Sequence, residues 1–243
     1  STERRSKIIP LNGMNNRGGV APLLLRRQGL LAIGFSFLLS ACSSSPQLPE
    51  FSATGYIADE GVVRLWRLNN KTSEPQVIMS VYSFYQKPET VVTFYEYRQN
   101  RLWQIRSEIV NPSHPSSWHL RLNKRGEVIF MQQEYQGQKR PLTEDERLKM
   151  VFAASREREI SKALAIGQVK LVQGTWYQDT LTTCAGEKVN VSFEAPEQRW
   201  LKRRTQHLTR PAYVAWLDSP EGNQLLMVAE HDFCKWEPTK ESL

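Results

Sequence analysis

The thiols of Cys42, Cys184 and Cys234 and the imidazoles of His114, His119, His207 and His231 are the groups in this sequence suited to nucleophilic, acid–base or metal chemistry. A structural zinc site needs such ligands in close pairs, typically Cys-x-x-Cys with a second pair downstream. His231 stands three positions before Cys234, but no Cys-x-x-Cys and no second His–Cys pair accompany them. No metal site and no cofactor is expected. No histidine falls in a His-Glu-x-x-His motif, and Gly-x-Ser-x-Gly, phosphate-loop and dinucleotide fingerprints are absent. His114 and His119 flank Pro115 and Trp118 in a loop-like segment. The carboxylate pairs Asp145/Glu146 and Glu157/Glu159 lie on a helical stretch, where such pairs are usually solvated. The run Leu201-Lys202-Arg203-Arg204 offers three bases that could hold phosphate; an ordinary exposed face is the simpler reading. No catalytic residues are assigned, and no enzyme is expected.

Cys42 has a particular setting. Arg26 and Arg27 precede an uncharged, mostly apolar run of 13 residues, Gly29 to Ala41. That is too short for a membrane span, which needs about 20 residues, and suits the apolar core of an export signal. From Met14 the chain reads as an ordinary start, a basic region and then this run. Residues 1–13 read as an upstream extension and 14–41 as the signal peptide. Residues 1–41 hold six of the 32 basic groups and one of the 25 acidic groups, so the rest of the chain carries only +2 of the net +7. The basic balance belongs to the N-terminus and gives no reason to expect nucleic acid.

Leu39-Ser40-Ala41-Cys42 resembles the lipobox of bacterial lipoproteins. The resemblance implies that the Cys42 thiol takes a diacylglycerol, that signal peptidase recognises Leu39, Ser40 and Ala41 and cuts after Ala41, and that the new amine is acylated. Several acyl chains anchor stably where a single chain binds only marginally. A cysteine in an ordinary cleaved signal is the alternative. The Ser- and Pro-rich stretch that follows reads as a flexible tether over 42–50. In Gram-negative lipoproteins an Asp after the lipidated cysteine favours inner-membrane retention. Ser43 stands there, so the resemblance implies an outer-membrane anchor facing the periplasm.

Cys184 and Cys234 are the thiols left to the body, 50 positions apart. An oxidising periplasm favours pairing them. Free or reactive thiols are the alternative.

Residues 51–142 read as strand after strand: VVRLWRL, QVIMSVYSFYQ, TVVTFYEYRQ, RLWQIRSEIV, SSWHLRL and EVIFMQQEY, joined by short polar turns such as RQNR and NKRG, with Gly126 free to take positive φ. Connections that short demand antiparallel neighbours. Residues 143–167 form one helix, opened by a Thr143/Glu146 capping box and stopped at Gly167. Leu148, Val151, Phe152, Ser155, Ile160, Ala163 and Leu164 recur at helical spacing and predict the stripe that packs on the sheet. Residues 168–238 return to short strands around APEQRWLKRRTQ, a short helix or loop, and predict a small barrel-like unit, OB-like in outline, with DFCKW as its last strand. The expected fold class is α+β, mainly antiparallel: a meander, one amphipathic helix and a C-terminal barrel-like unit. An aromatic band comprises Tyr82, Phe84, Tyr85, Phe94, Tyr95, Tyr97 and Trp103; alternation puts Tyr95 and Tyr97 on one face and Phe94 on the other.

GEVIFMQQEYQG, Gln168-x-x-LVQGTWY and HDFCKWEP carry a similarity to a family of lipoproteins of enteric and related bacteria, over most of residues 50–238. That family brings no activity to carry over. Two expectations follow for function. One is a non-catalytic binding or assembly module, held to the outer membrane through Cys42 and working with another envelope protein. The other is a carrier of hydrophobic ligands or lipoproteins, similar to the lipoprotein-localisation carriers, which use a curved antiparallel sheet with helices inside.

Overall fold

The computed structural model describes residues 45–110 and 114–243. The extension, the signal peptide, Cys42 and the first tether residues lie outside the described residues. Runs of β-branched and aromatic residues separated by two- to five-residue turns build eight strands: β1 (Phe51–Ala58), β2 (Gly61–Asn69), β3 (Pro75–Phe84), β4 (Thr90–Arg98), β5 (Arg101–Val110), β6 (Ser116–Leu122), β7 (Val128–Tyr135) and β8 (Gln138–Arg140). They pair in sequence order, all antiparallel, as a meander. Gln99 and Asn100, at φ 48° and 63°, form the β4–β5 turn, whose twist matches that of the strands it joins. Gly126, at φ 79°, turns β6 into β7. Strands β1 and β8 add to the six read from the sequence.

Helix α1 (Glu144–Ile166) lies on one face of this sheet, against β1, β2, β3 and β5. Its capping box is formed: the Glu146 amide donates to Thr143 Oγ1 at 3.2 Å, and the Thr143 amide to Glu146 Oε2 at 2.8 Å. The bond from the Thr143 amide leads in holding the Glu146 carboxyl below the usual carboxylate range. Thr143→Ala should cost about 1 kcal/mol and lower the melting temperature by about 2–4 °C; a calorimetric scan with no shift would show the box to be idle.

The stripe read from the sequence matches the buried one only in part, through Val151 and Ile160. Phe152 is 68% exposed and Leu148 52%. The buried positions are Ala154, Glu157 and Ser161, flanked by Met150, Val151, Ala153 and Ile160. The reason lies in the sheet. Tyr56 donates to Glu157 Oε1 at 2.7 Å, and buried Arg67 donates to Ser161 Oγ at 3.1 Å and to the Arg158 carbonyl at 3.0 Å. These partners hold two polar residues where a mostly apolar stripe was expected, and Glu157 Oε2 is left without a hydrogen-bond partner among the described residues. Beneath them Val63, Leu65, Ile78, Tyr95, Ile105 and Leu120 form the core shared with the helix.

The other face of β1–β3 meets a second sheet, built from β9 (Lys170–Tyr177), β10 (Thr180–Thr183), β11 (Lys188–Val189), β12 (Ala212–Ser219) and β13 (Gly222–Ala229). Its order is β11-β10-β9-β12-β13, all antiparallel. The expected barrel-like unit is not formed. Closure needs the first and last strands to pair, but β11 and β13 are opposite open edges, and β11 is joined by only two residue pairs. The sheet buries itself by stacking instead. One face covers α2 (Ala195–Thr205) through Leu201, Val214, Trp216 and Leu225; the other meets Val62, Trp66, Met79 and Val81 of the large sheet through Leu171, Ala215, Leu217 and Leu226. Gly55 permits the close approach: a Cβ there would lie 2.7 Å from the Val63 carbonyl oxygen and 3.1 Å from Leu226 Cδ2. The layers run helix, sheet, sheet, helix. The described residues form one compact unit.

Candidate functional site

The residues singled out for chemistry do not converge. His119, on β6, shares a 2.7 Å hydrogen bond between Nε2 and Gln104 Oε1; desolvation, then the charges of Arg121 and Arg106, hold its pKa below the usual imidazole range. The His114 ring stacks on Tyr135, His231 packs edge-on to Phe233, and His207 follows α2. Among the described residues, no three His, Cys, Asp or Glu side chains gather as metal ligands. The three bases 202–204 occupy the last turn of α2 while Leu201 faces the core, an arrangement that suits the negative helix end.

Cys184, after β10, and Cys234, opening a 3-10 turn (Cys234–Trp236), form a disulfide with Cα atoms 5.3 Å apart. The segment DFCKW, expected as a strand, is this turn. It lays Phe233 and Trp236 over Arg64, each ring centre 5.0 Å from the guanidinium carbon. Arg64 is fully buried and donates to Gln173 Oε1 at 2.7 Å; Gln173 in turn donates to Glu237 Oε2 at 2.7 Å. Burial pulls the Arg64 pKa down to about 10, against the opposing pull of Glu237. This cluster joins the two sheets and the C-terminal turn.

Glu157 was expected on a solvated surface. It is instead buried, and its Oε1 takes bonds from Tyr56 and from Arg156 at 3.1 Å. Burial, then the bond to Glu157, pushes the Tyr56 phenol above its usual range. Its helix register with Ala154 and Ser161 was the available signal. The space between sheet and helix, where a carrier would hold its ligand, is filled by this network and by the apolar side chains around it.

One open concave feature lies at one end of the large sheet. It is a mostly apolar pocket of about 640 Å³ between the β4–β5 and β6–β7 hairpins, with Leu102, Trp103 and Ile129 in its walls and Arg98, Arg101, Arg121 and Lys124 around it. No carboxylate lines it. Its two most distinctive residues are placed by irregularities in the ladders. Glu96 pairs with Gln104 and Tyr97 with Leu102, so Trp103 is the extra residue of a bulge. Arg121 pairs with Phe130 and Leu122 with Val128, so Ile129 is the extra residue of another. Bulges re-aim side chains and gather at functional edges of sheets. The Arg98 guanidinium lies 3.5 Å from the centre of the Trp103 ring. The Arg101 guanidinium donates to the Lys124 carbonyl at 3.0 Å, tying the hairpins together. Among the described residues none of the four cations is ion-paired. Trp103 belonged to the aromatic band; Arg98, Arg101 and Lys124 stand in the RQNR and NKRG turns, where basic residues are ordinary, and Arg121 and Ile129 in plain strand patterns.

No helix among the described residues is long and apolar enough to cross a membrane. No solved structure matches the chain. It is 35% identical over 230 residues to a protein of Escherichia coli (strain K12) called "Uncharacterized protein YjaH", a match that covers 93% of this chain and 98% of that protein. The family model described as "Protein of unknown function (DUF1481)" matches residues 53–239, spanning both sheets and both helices, and the chain belongs to that family.

Proposed function

We propose that this protein is exported, lipidated on Cys42 and held at the periplasmic face of the outer membrane, where its folded body serves as a non-catalytic binding or assembly module. The observation that carries the reading is the Cys184–Cys234 disulfide, which suits an oxidising compartment. It accords with the export signal and the lipobox-like Leu39-Ser40-Ala41-Cys42. The module reading draws on how the polar core is used. Arg64, Arg67 and Glu157 are engaged in joining sheets and helix, and His119 is bonded within the sheet. The open, cation-ringed pocket offers a surface to meet a partner.

Labelled palmitate should mark the wild-type protein in Gram-negative cells and should not mark Cys42→Ala. The variant should leave the outer-membrane fraction, as uncut precursor or as soluble periplasmic protein. A wild type that takes no label and fractionates as soluble would sink the anchor.

A further inference from the structure

We infer that the pocketed end of the large sheet docks onto an anionic phospholipid surface, the one in which Cys42 is held; the inference takes the anchor from the proposed function and adds a second contact. Three observations converge on it. The first is direction. Phe51, Leu68, Val77, Glu96, Gln104, Arg121 and Phe130 are successive cross-strand partners, so the β2–β3, β4–β5 and β6–β7 tips share the end of the sheet at which β1 begins. The tether arrives at that same end. The Leu48 amide donates to Ser73 Oγ at 3.0 Å, and Asn69 holds the Pro49 carbonyl at 2.9 Å, so the chain is fixed to the β2–β3 tip from Leu48 onwards. Six residue-to-residue steps lead from Cys42 to Leu48. They span at most about 22 Å. Strands lie about 4.8 Å apart, so the β4–β5 tip is about 19 Å across the sheet from the tether's entry. A leash this short keeps the pocketed end beside the membrane.

The second observation is charge. The three tips at this end, with the strand ends that flank them, present Lys71, Arg98, Arg101, Arg121, Lys124 and Arg125 against Glu74 and Glu127. Glu127 is already paired with Arg125 at 2.9 Å. At the opposite end, the β1–β2 and β3–β4 connections carry Asp59, Glu60 and Glu89 against Lys87. The body's small net charge conceals this polarity. Its positive pole faces the anchored leaflet and its negative pole faces away, the orientation an anionic surface favours.

The third is the apolar content of the tip. Trp103 and 65%-exposed Ile129, both thrown out of the ladder by bulges, sit among the cations. An amphipathic indole beside basic side chains suits the headgroup region, where Trp is enriched and basic residues meet lipid phosphate.

The test uses the mature chain from residue 42, made without lipid as Cys42→Ser, and floated with vesicles of phosphatidylcholine alone or with phosphatidylglycerol. Binding is expected only to the anionic vesicles. It should vanish near 1 M salt, where screening shortens to about 3 Å. Arg98→Glu with Lys124→Glu should lower the partition at least about 30-fold, the loss expected from removing two cations alone, while Lys87→Glu, at the far end, should leave it unchanged. Unaltered melting curves would confirm that the variants are folded. Equal binding to neutral vesicles, or equal loss in Lys87→Glu, overturns the docking surface. The anchor is read separately, by palmitate uptake on Cys42 in the wild type. Label without tip binding removes the surface and keeps the anchor; tip binding without label removes the anchor and keeps the surface.

Discussion

Loss of the Cys184–Cys234 disulfide should destabilise the body by about 4 kcal/mol, the loop-entropy value for a closed loop of this size. The two cysteines are 50 positions apart and join the end of β10 to the C-terminal turn. For a chain of this length the loss corresponds to a fall of about 8–16 °C in melting temperature. The damage should be local before it is global. Phe233 and Trp236, the rings over Arg64, flank Cys234 in this turn, and exposed Lys235 lies between Cys234 and Trp236. In Cys184→Ser/Cys234→Ser, trypsin should cut after Lys235 at concentrations that leave the wild type intact, while the strands stay protected from amide exchange. If the double variant melts within about 2 °C of wild type, or the tail resists trypsin as before, the bridge does not hold this turn.

Arg64→Ala should be as severe, at about 3–5 kcal/mol, whereas Arg64→Met should come close to neutral. The contrast follows from how the charge is held. Arg64 gives one hydrogen bond, to Gln173, and its Nε and Nη2 find no hydrogen-bond partner among the described residues. What surrounds them is aromatic: Trp66, Phe233 and Trp236. A buried guanidinium so placed carries a desolvation penalty that its partners only partly offset, and replacing such groups by apolar side chains of similar size is often harmless. Methionine keeps the volume between the sheets. Alanine removes it and leaves a void beside Gln173, which is itself buried. Urea denaturation of both variants decides the matter. Equal losses would show that the guanidinium's own contacts, and not the space it fills, join the sheets.

The secondary elements were legible in the residues where a local rule governs them. Thr143 and Glu146 announce a helix start because both partners of the capping box lie three positions apart. Short polar turns such as Gln99-Asn100 announce antiparallel neighbours because a parallel crossover cannot be that short. Tyr95 and Tyr97 went to the helix face and Phe94 to the other, as a period of two requires. Elsewhere the same rules admitted several answers. The α1 stripe could run through Leu148 and Phe152 or through Ala154, Glu157 and Ser161, and both fit a helical period; Tyr56 and Arg67, far away in the chain, decide it. DFCKW resembles a strand in composition, yet the bond to Cys184 and the fit over Arg64 bend it into a turn.

The sequence by itself determined the meander, the capped helix and the alternation of faces, because each depends on neighbours a few positions apart. It also set the excess of charge in the first 41 residues, and it is the source of the proposal of an export signal and a lipidated Cys42. Only the tertiary structure decided that the second sheet stacks on the first and stays open, since strand order depends on which distant edges meet. It alone decided that Glu157 and Arg64 are interior, because a buried charge is tolerated only where partners from other elements surround it. It alone gathered Arg98, Arg101, Arg121 and Lys124 around Trp103 and Ile129, since that requires two hairpin tips side by side and two bulges. A ladder's register is a property of paired strands, so which residue is left over as a bulge is written in neither strand alone.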